Sequence, residues 1–515
     1  MSDVLHHILE CAQRDPDHVA IRDAESTFTY EQLVNETAHV ASGLVMYGVV
    51  PGDRVVLLLQ NSVDYVISAL ASLWIGAIFV PLDATDPPQR LATLMRDCRP
   101  TLVITNGVVD ETTHQGYLEP STFVRVSQLK IDRTERVDVL YTGERPSYII
   151  YTSGTTGTPK GVVIGSGAFE ASVISSCEAL NLGPSTRTLS VSPFHFDGSF
   201  ATLFTTLASG GTLFIRPQES LLFPRVFFDT VITESITYTD FPPSYLHILE
   251  SSPQFNNLAL SDLQIISLGG EACSVVDVKN IWAVAPKIRI FNCYGPTEAT
   301  ITVSQMEITP SVVARGAIPI GKPNPGEEFH LIDKSGNLIK GPRVAGELYI
   351  GGRQLMDGYW EAPDLTANVI RTDIVHGQRL YRTGDVVYLD SEGDYVYVSR
   401  ADRVIKRGGV RISLLEISDA FRKIDEVSAA TSIAFNNNGN LGIVTFPVLT
   451  SEISDVELHK RARTLLPSSM LPDRIEAVKS IPLTSSGKTD EKTLLSIAGL
   501  TPLDSVNPSE TPRGY

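Results

Sequence analysis

Short apolar runs alternate with amphipathic stretches through the first 145 residues, and this rhythm constrains the fold more than any other feature of the chain. Residues 54–59 and 77–81 are β-rich, and residues 63–74 between them carry apolar side chains at helical spacing. Residues 88–98 form a second helical pattern opened by proline, and residues 101–105 are β-rich again. Strand, helix, strand in repeated order requires parallel strands joined by crossover helices, and so a doubly wound sheet. Residues 31–47 read as a further helix ending before Gly48, whereas residues 107–144 are polar and aperiodic, a peripheral connection. In open parallel sheets ligands sit beyond the carboxyl ends of the strands, so the chemistry is expected in the loops that follow strands.

Four such loops stand out. The run Tyr148-Ile-Ile-Tyr151 leads into Thr152-Ser153-Gly154-Thr155-Thr156-Gly-Thr-Pro-Lys160-Gly. Glycines let backbone N–H groups turn toward an anion, hydroxyls add donors, and Lys160 adds a point charge. This suits phosphate, yet it is no Walker A loop, because Lys160 lies between Pro159 and Gly161. Three strand-then-loop units follow. The first reaches Asp240-Phe-Pro-Pro, the second closes on Gly269-Gly270-Glu271, and the third runs into Asn292-Cys293-Tyr294-Gly295-Pro-Thr297-Glu298. In the third, Asn292 offers a donor and an acceptor to a purine edge, Tyr294 a stacking face, and Glu298 a hard oxygen ligand for Mg²⁺.

From residue 321 onward short β runs with tight turns suggest a small β-rich subdomain that carries Tyr381-Arg-Thr-Gly-Asp385. The connector Ser399-Arg400-Ala-Asp402-Arg-Val-Ile-Lys406 is charged and leads to Gly408-Gly409, and about a hundred residues of one more α/β pattern follow it. The expected fold class is α/β. A large N-terminal domain of doubly wound sheets plus the β-rich subdomain spans residues 1–401, a small mobile α+β domain spans 402–500, and residues 501–515 form a flexible tail.

The glycine-rich loop and the motifs after it, in this order, resemble the adenylate-forming enzymes: acyl-CoA synthetases, luciferases and the adenylation domains of nonribosomal peptide synthesis. The resemblance runs from about residue 20 to 490. It implies ATP and Mg²⁺, and a reaction in two steps: a carboxylate attacks ATP to give acyl-AMP and pyrophosphate, and a thiol then takes the acyl group. It assigns Thr152, Ser153, Gly154, Thr155, Thr156 and Lys160 to the phosphates, and Gly269, Gly270 and Glu271 to a strip along adenine. Asn292, Tyr294, Gly295 and Thr297 join the nucleotide site, with Glu298 holding the metal. Asp385 and Arg400 meet the ribose or phosphate, and Asp402 is the hinge. Lys488, in Thr484-Ser-Ser-Gly-Lys488, matches the mobile lysine that acts in adenylation. Such a cation can bridge the carboxylate and the α-phosphate where negative charge accumulates. Ser399 stands where glycine is usual and Val404 where glutamine is common, which leaves the acceptor contacts of Lys406, Gly409 and Arg411 less defined than the hinge. Lys160, Glu298, Asp385 and Lys488 together argue against a non-catalytic homologue.

The substrate pocket by this resemblance consists of His195, Phe196, Asp197, Gly198, Ala201, Asp240, Ser267, Gly269, Cys293, Ile301 and Thr302. These side chains are mostly small or neutral and suit an aliphatic or moderately bulky substrate. Asp197 matches the acid that binds an α-ammonium in amino-acid adenylation domains. An acid at Asp240 is unusual there, and resembles the stand-alone enzymes that activate β-amino acids for macrolactam antibiotics, because one extra methylene moves the ammonium and its counter-ion with it. The alternatives are an α-amino-acid adenylation enzyme and an acyl- or aryl-CoA synthetase. Asp504-Ser505 lacks the glycine of a carrier-protein site, so the expected partner is a phosphopantetheinylated carrier protein in trans, or coenzyme A.

Composition narrows the classes further. A net charge of −17 over 515 residues disfavours nucleic acid as a partner. Five cysteines, all single, suggest neither a zinc site nor a disulfide framework. No signal-peptide layout and no apolar run of spanning length is present, so the expectation is a cytoplasmic protein with no membrane partner.

Overall fold

The computed structural model describes residues 3–106, 123–130, 144–152, 159–375, 377–400, 404–437, 440–482 and 489–503. The fold is α/β, with two large mixed sheets, a smaller β-rich sheet and a separate carboxyl-terminal unit. One large sheet has seven strands in the order Gly358–Tyr359, Lys160–Gly165, Pro146–Thr152, Ile78–Pro81, Arg54–Leu58, Leu102–Thr105 and Phe123–Arg125. Its central pairs are parallel, as the βαβ rhythm requires. The strand Phe123–Arg125 falls inside the stretch expected to be a mere connection, and it adds parallel to the sheet edge. Three residues are too few for an alternating pattern to show.

The second large sheet has eight strands. Arg289–Tyr294, Ile265–Gly269, Tyr238–Phe241 and Arg187–Ser190 lie side by side and parallel. The helices Val63–Trp74, Ser166–Leu180 and Phe200–Ser209 contribute to one apolar cluster that takes in residues of both sheets. At its centre Phe79, Tyr148, Phe169, Phe200 and Phe204 meet, mainly edge-to-face, with centroids 4.9–6.2 Å apart. Such pairs add directional preference to simple burial.

Alternation along the strands decides which residues can reach a ligand. Leu189, Phe241, Ile266, Leu268 and Ile290 face a cluster with the outer helices Pro224–Thr233, Pro243–Glu250 and Val275–Val284. Tyr238, Ile265, Phe291 and Cys293 face the other way. Asp240 lies two residues on from Tyr238, on that inner face.

The β-rich sheet is built from Glu327–Ile332, Gly346–Gly352, Leu380–Leu389, Ile370–Arg371 and Tyr395–Arg400. Beyond it the hairpin Val404–Arg407/Val410–Ser413 leads into the helix Leu414–Arg422 and a four-stranded sheet. The described residues past 404 form two apolar clusters of their own. They meet the preceding body through polar contacts. Arg90 Nη1 lies 2.6 Å from Oε1 of the buried Glu416, and Gly409 N donates to Glu271 Oε1 at 3.2 Å. All five cysteines are free thiols. Among the described residues no helix is long and apolar enough to cross a membrane.

Candidate active site

The carboxyl ends of the inner strands open into one cavity. Its lining includes Asp240, Gly269 and Cys293 from three adjacent strands, and Asp197, Thr297 and Ile301 from the loops. Asp385 and Arg400 of the β-rich sheet close one side, and Lys406, Gly408 and Gly409 of the hairpin close another. Segments as far apart in sequence as Pro81 and Met470 thus share one space.

Asp385 and Arg400 form a connected network in the lining. Asp385 is buried, accepts a hydrogen bond from Tyr294 Oη at 2.6 Å and pairs with Arg400 Nη1 at 2.7 Å. Arg400 Nη2 also donates to the carbonyl of Thr383 at 3.0 Å. Each carboxylate oxygen has two acceptor sites, so Asp385, fixed at both ends, keeps capacity for two vicinal hydroxyls. Lys406 Nζ sits 5.8 Å from the Tyr294 ring centroid, a cation–π approach that brings the hairpin over this wall.

Glu298 is 1% exposed and accepts from Tyr359 Oη at 2.8 Å. Lys160 Nζ lies 5.1 Å from the same Tyr359 ring, so the lysine ending the glycine-rich loop and the metal-site candidate converge. Thr152 and Lys160 are register partners, which places both ends of that loop at one sheet edge. Ser153, Gly154, Thr155 and Thr156 lie outside the described residues, as do Asp402 and Lys488.

The two acids of the substrate side differ. Burial pushes the Asp197 carboxyl up to about 6, while the Thr297 hydroxyl, the Gly198 N–H and the Lys406 ammonium pull it back. Burial alone pushes Asp240 up to about 7. Among the described residues no donor hydrogen bonds its carboxylate and no cation pairs with it. A buried carboxylate with no partner is costly when ionised. His195 lines the same cavity 3.6 Å from Asp83, and burial lowers its imidazole pKa against the pull of that carboxylate. Phe196, Gly198, Ala201 and Thr302 also line the space.

Lys160, Tyr294 and Glu298 are not among the cavity-lining residues, and three further expected residues are placed elsewhere. Asn292 is buried on the outer face, where its amide donates to the Pro319 carbonyl at 2.7 Å. It is one residue from Cys293, and strand alternation puts neighbours on opposite faces. Glu271 is turned to the domain contact, with its carboxylate accepting from Ser244 N at 2.9 Å and from Gly409 N. Ser267 is fully buried in the strand below Gly269 and does not reach the cavity. Conversely, sequence reasoning missed Asp83, Asp86 and Arg90 in the lining. Asp86 pairs with Arg90 at 3.2 Å, and burial lifts its carboxyl to about 7 against that pairing. They sit at and just before the start of an ordinary amphipathic helix, and only its docking against Glu416 gives them a place in the site.

The fold is that of an adenylate-forming enzyme. The sequence profile of the AMP-binding enzyme family matches residues 8–360, and the chain belongs to that family. Tyrocidine synthase 3 of Brevibacillus parabrevis is 32% identical over 494 residues, which are 94% of this chain and 8% of that protein. Surfactin synthase subunit 1 of Bacillus subtilis (strain 168) is 31% identical over 500 residues, 95% of this chain and 14% of that protein. The chain thus spans a small fraction of the curated relatives it matches. Among solved structures, holo-PA1221, an NRPS protein containing adenylation and PCP domains, superposes with a TM-score of 0.85 at 25% identity, covering 96% of this chain and 84% of that one.

Proposed function

We propose that this enzyme activates an amino acid with ATP and Mg²⁺, giving aminoacyl-AMP and pyrophosphate, and then passes the acyl group to the phosphopantetheine thiol of a separate carrier protein. The observation that carries the reading is Asp240, a buried carboxylate in the cavity with no partner among the described residues. A substrate ammonium would supply that partner. A fatty or aryl acid would leave the charge unmatched, at a cost of several kcal/mol if it stays ionised. Asp197 already has Thr297, Gly198 and Lys406 around it, so the ammonium is assigned to Asp240. That favours a β-amino acid, of the kind used in macrolactam antibiotics.

In this scheme Asp385 and Arg400 orient the ribose. Glu298 is suited to Mg²⁺, being a buried hard-oxygen donor beside the glycine-rich loop, and the ion would offset charge on the phosphates. The small domain supplies the rest. Gly408 and Gly409 line the cavity, whereas Pro482 and Thr489, the described residues flanking 483–488, do not. We assign this arrangement to thiol transfer, with rotation about Asp402 bringing Lys488 to the site for adenylation. Enclosure by the hairpin also keeps water from the acyl-adenylate.

ATP–pyrophosphate exchange across matched α-amino, β-amino and fatty acids tests the reading. Exchange should be strongest with β-amino acids. Stronger exchange with the α-isomer would return the ammonium to Asp197, and exchange with fatty acids alone would end the amino-acid assignment.

A further inference from the structure

Thr300 and Ile301 both lie in the left-handed region, at φ 57° and 64°. A β-branched residue crowds its own backbone there, and such a conformation persists only where the surroundings over-determine it. Ile301 lines the substrate cavity, so the strained turn aims a pocket side chain.

Most of what holds it belongs to the β-rich subdomain, although Ser172 Oγ of the helix Ser166–Leu180 also donates to the Thr300 carbonyl, at 2.7 Å. Gln354 is fully buried, and its Nε2 donates to the carbonyl of Thr302 at 2.7 Å and of Thr300 at 3.3 Å. Its own carbonyl accepts from Thr300 Oγ1 at 2.6 Å. Carbonyl oxygens only accept, so the amide nitrogen must face the turn. Asn324 Nδ2 donates to the Thr302 carbonyl at 3.1 Å and toward Gln354 Oε1 at 3.4 Å. Glu327 anchors the segment from behind, accepting from Arg353 N and Gln354 N at 3.0 and 3.2 Å. From the other side Gly295 packs so closely that a Cβ would overlap the Ile301 carbonyl oxygen. The same segment braces the nucleotide side, where Met356 N donates to the Glu298 carbonyl at 2.9 Å.

We propose that Gln354 is a positioning residue for substrate selection: it holds the Thr300–Ile301–Thr302 turn left-handed, so that Ile301 projects into the cavity and sets which acyl side chain is accepted. Gln354 itself does not line the cavity and acts through the backbone it bonds. This inference rests on the amino-acid reading given above, but its test does not.

Gln354→Met keeps the length of the side chain and removes both donors. Exchange assays over a series of acids graded in side-chain size should show the preferred substrate losing about tenfold or more in kcat/KM. Bulkier members should lose much less, and KM for ATP should stay within about twofold. Ile301→Gly supplies the control, because glycine adopts φ 64° freely and has no side chain to misplace. In that background Gln354→Met should leave the selectivity profile unchanged. Equal proportional losses for every substrate, or the same selectivity change in both backgrounds, would overturn the inference. If Gln354→Met does not fold, Asn324→Ala removes one donor to the Thr302 carbonyl and is judged by the same two criteria. If the wild type exchanges only with amine-free acids, the amino-acid reading fails, and the graded fatty acids still decide the role of Gln354.

Discussion

The two walls of the cavity handle charge in opposite ways. Where the nucleotide is proposed to bind, each acid is held by protein: Asp385 of the lining by Tyr294 and Arg400, and the buried Glu298, outside the lining, by Tyr359. On the substrate side Asp197 has neighbours that only partly offset its burial, and Asp240 has none among the described residues. A satisfied acid is a rigid acceptor whose geometry precedes the ligand. An unsatisfied one gains most from a ligand that brings the missing charge. The first wall suits a molecule common to every member of the family, and the second suits a substrate that differs between them.

The largest loss is expected from the small domain, to which the proposed adenylation lysine belongs. Lys488→Ala should slow single-turnover adenylation by about 100-fold or more, the range seen when a transition-state charge stabiliser is removed, with ATP binding little changed. Near-wild-type adenylation would take Lys488 out of the mechanism. On the substrate wall, Asp240→Asn should cost about tenfold or more in kcat/KM for a β-amino acid, as loss of a charge-assisted bond implies, and little for its amine-free analogue. If Asp197→Asn alone causes the loss, the contrast between the two acids has been read backwards.

The contact between the bodies offers a smaller effect. Arg90→Met strands Glu416, whose Oε2 already has no hydrogen-bond partner, whereas Arg90→Met with Glu416→Leu leaves only Asp86 without its partner, a carboxyl that burial already lifts to about 7. Carrier loading should fall roughly tenfold in the single variant and recover in the double, with pyrophosphate exchange nearly constant in both. Equal losses in the two half-reactions would make the pair structural only.

The smallest effect is one of pH. Burial raises the Asp240 carboxyl to about 7, above its value of about 3.9 in an unfolded chain. Between these values the folded state binds the extra proton, so stability falls as pH rises from about 4 to about 7 and is level above. Asp240→Asn should therefore raise Tm by a few degrees at pH 8 and leave it unchanged near pH 4. An ammonium ligand favours the ionised form, so substrate KM should rise as pH drops below 7 in the wild type but not in the variant. A KM profile identical in both would show that Asp240 does not meet the substrate amine.

Much of this molecule was legible in its sequence. The helices 63–74, 88–98 and 166–180 and the strands between them follow from local periodicity, which the backbone cannot evade. The strand-ending loops likewise meet at one cavity, because parallel strands deliver their carboxyl ends to one edge. What local pattern could not decide is which side chains use that edge. Asn292 and Cys293 are adjacent in sequence, yet one bonds Pro319 on the outer face and the other lines the cavity. Ser267 and Asp240 are register partners on neighbouring strands, yet only Asp240 reaches the opening. Arg90 and Gln354 carry no motif at all, and Glu271 belongs to one that points along adenine rather than to the domain contact it makes. Their roles come from Glu416, Gly409 and the Thr300–Thr302 turn, partners 326, 138 and about 50 residues away. Periodicity and turn chemistry are short-range and belong to the sequence by itself. The pairing of a buried charge or the bracing of a strained turn depends on what packing brings against it, and only the tertiary structure decides that.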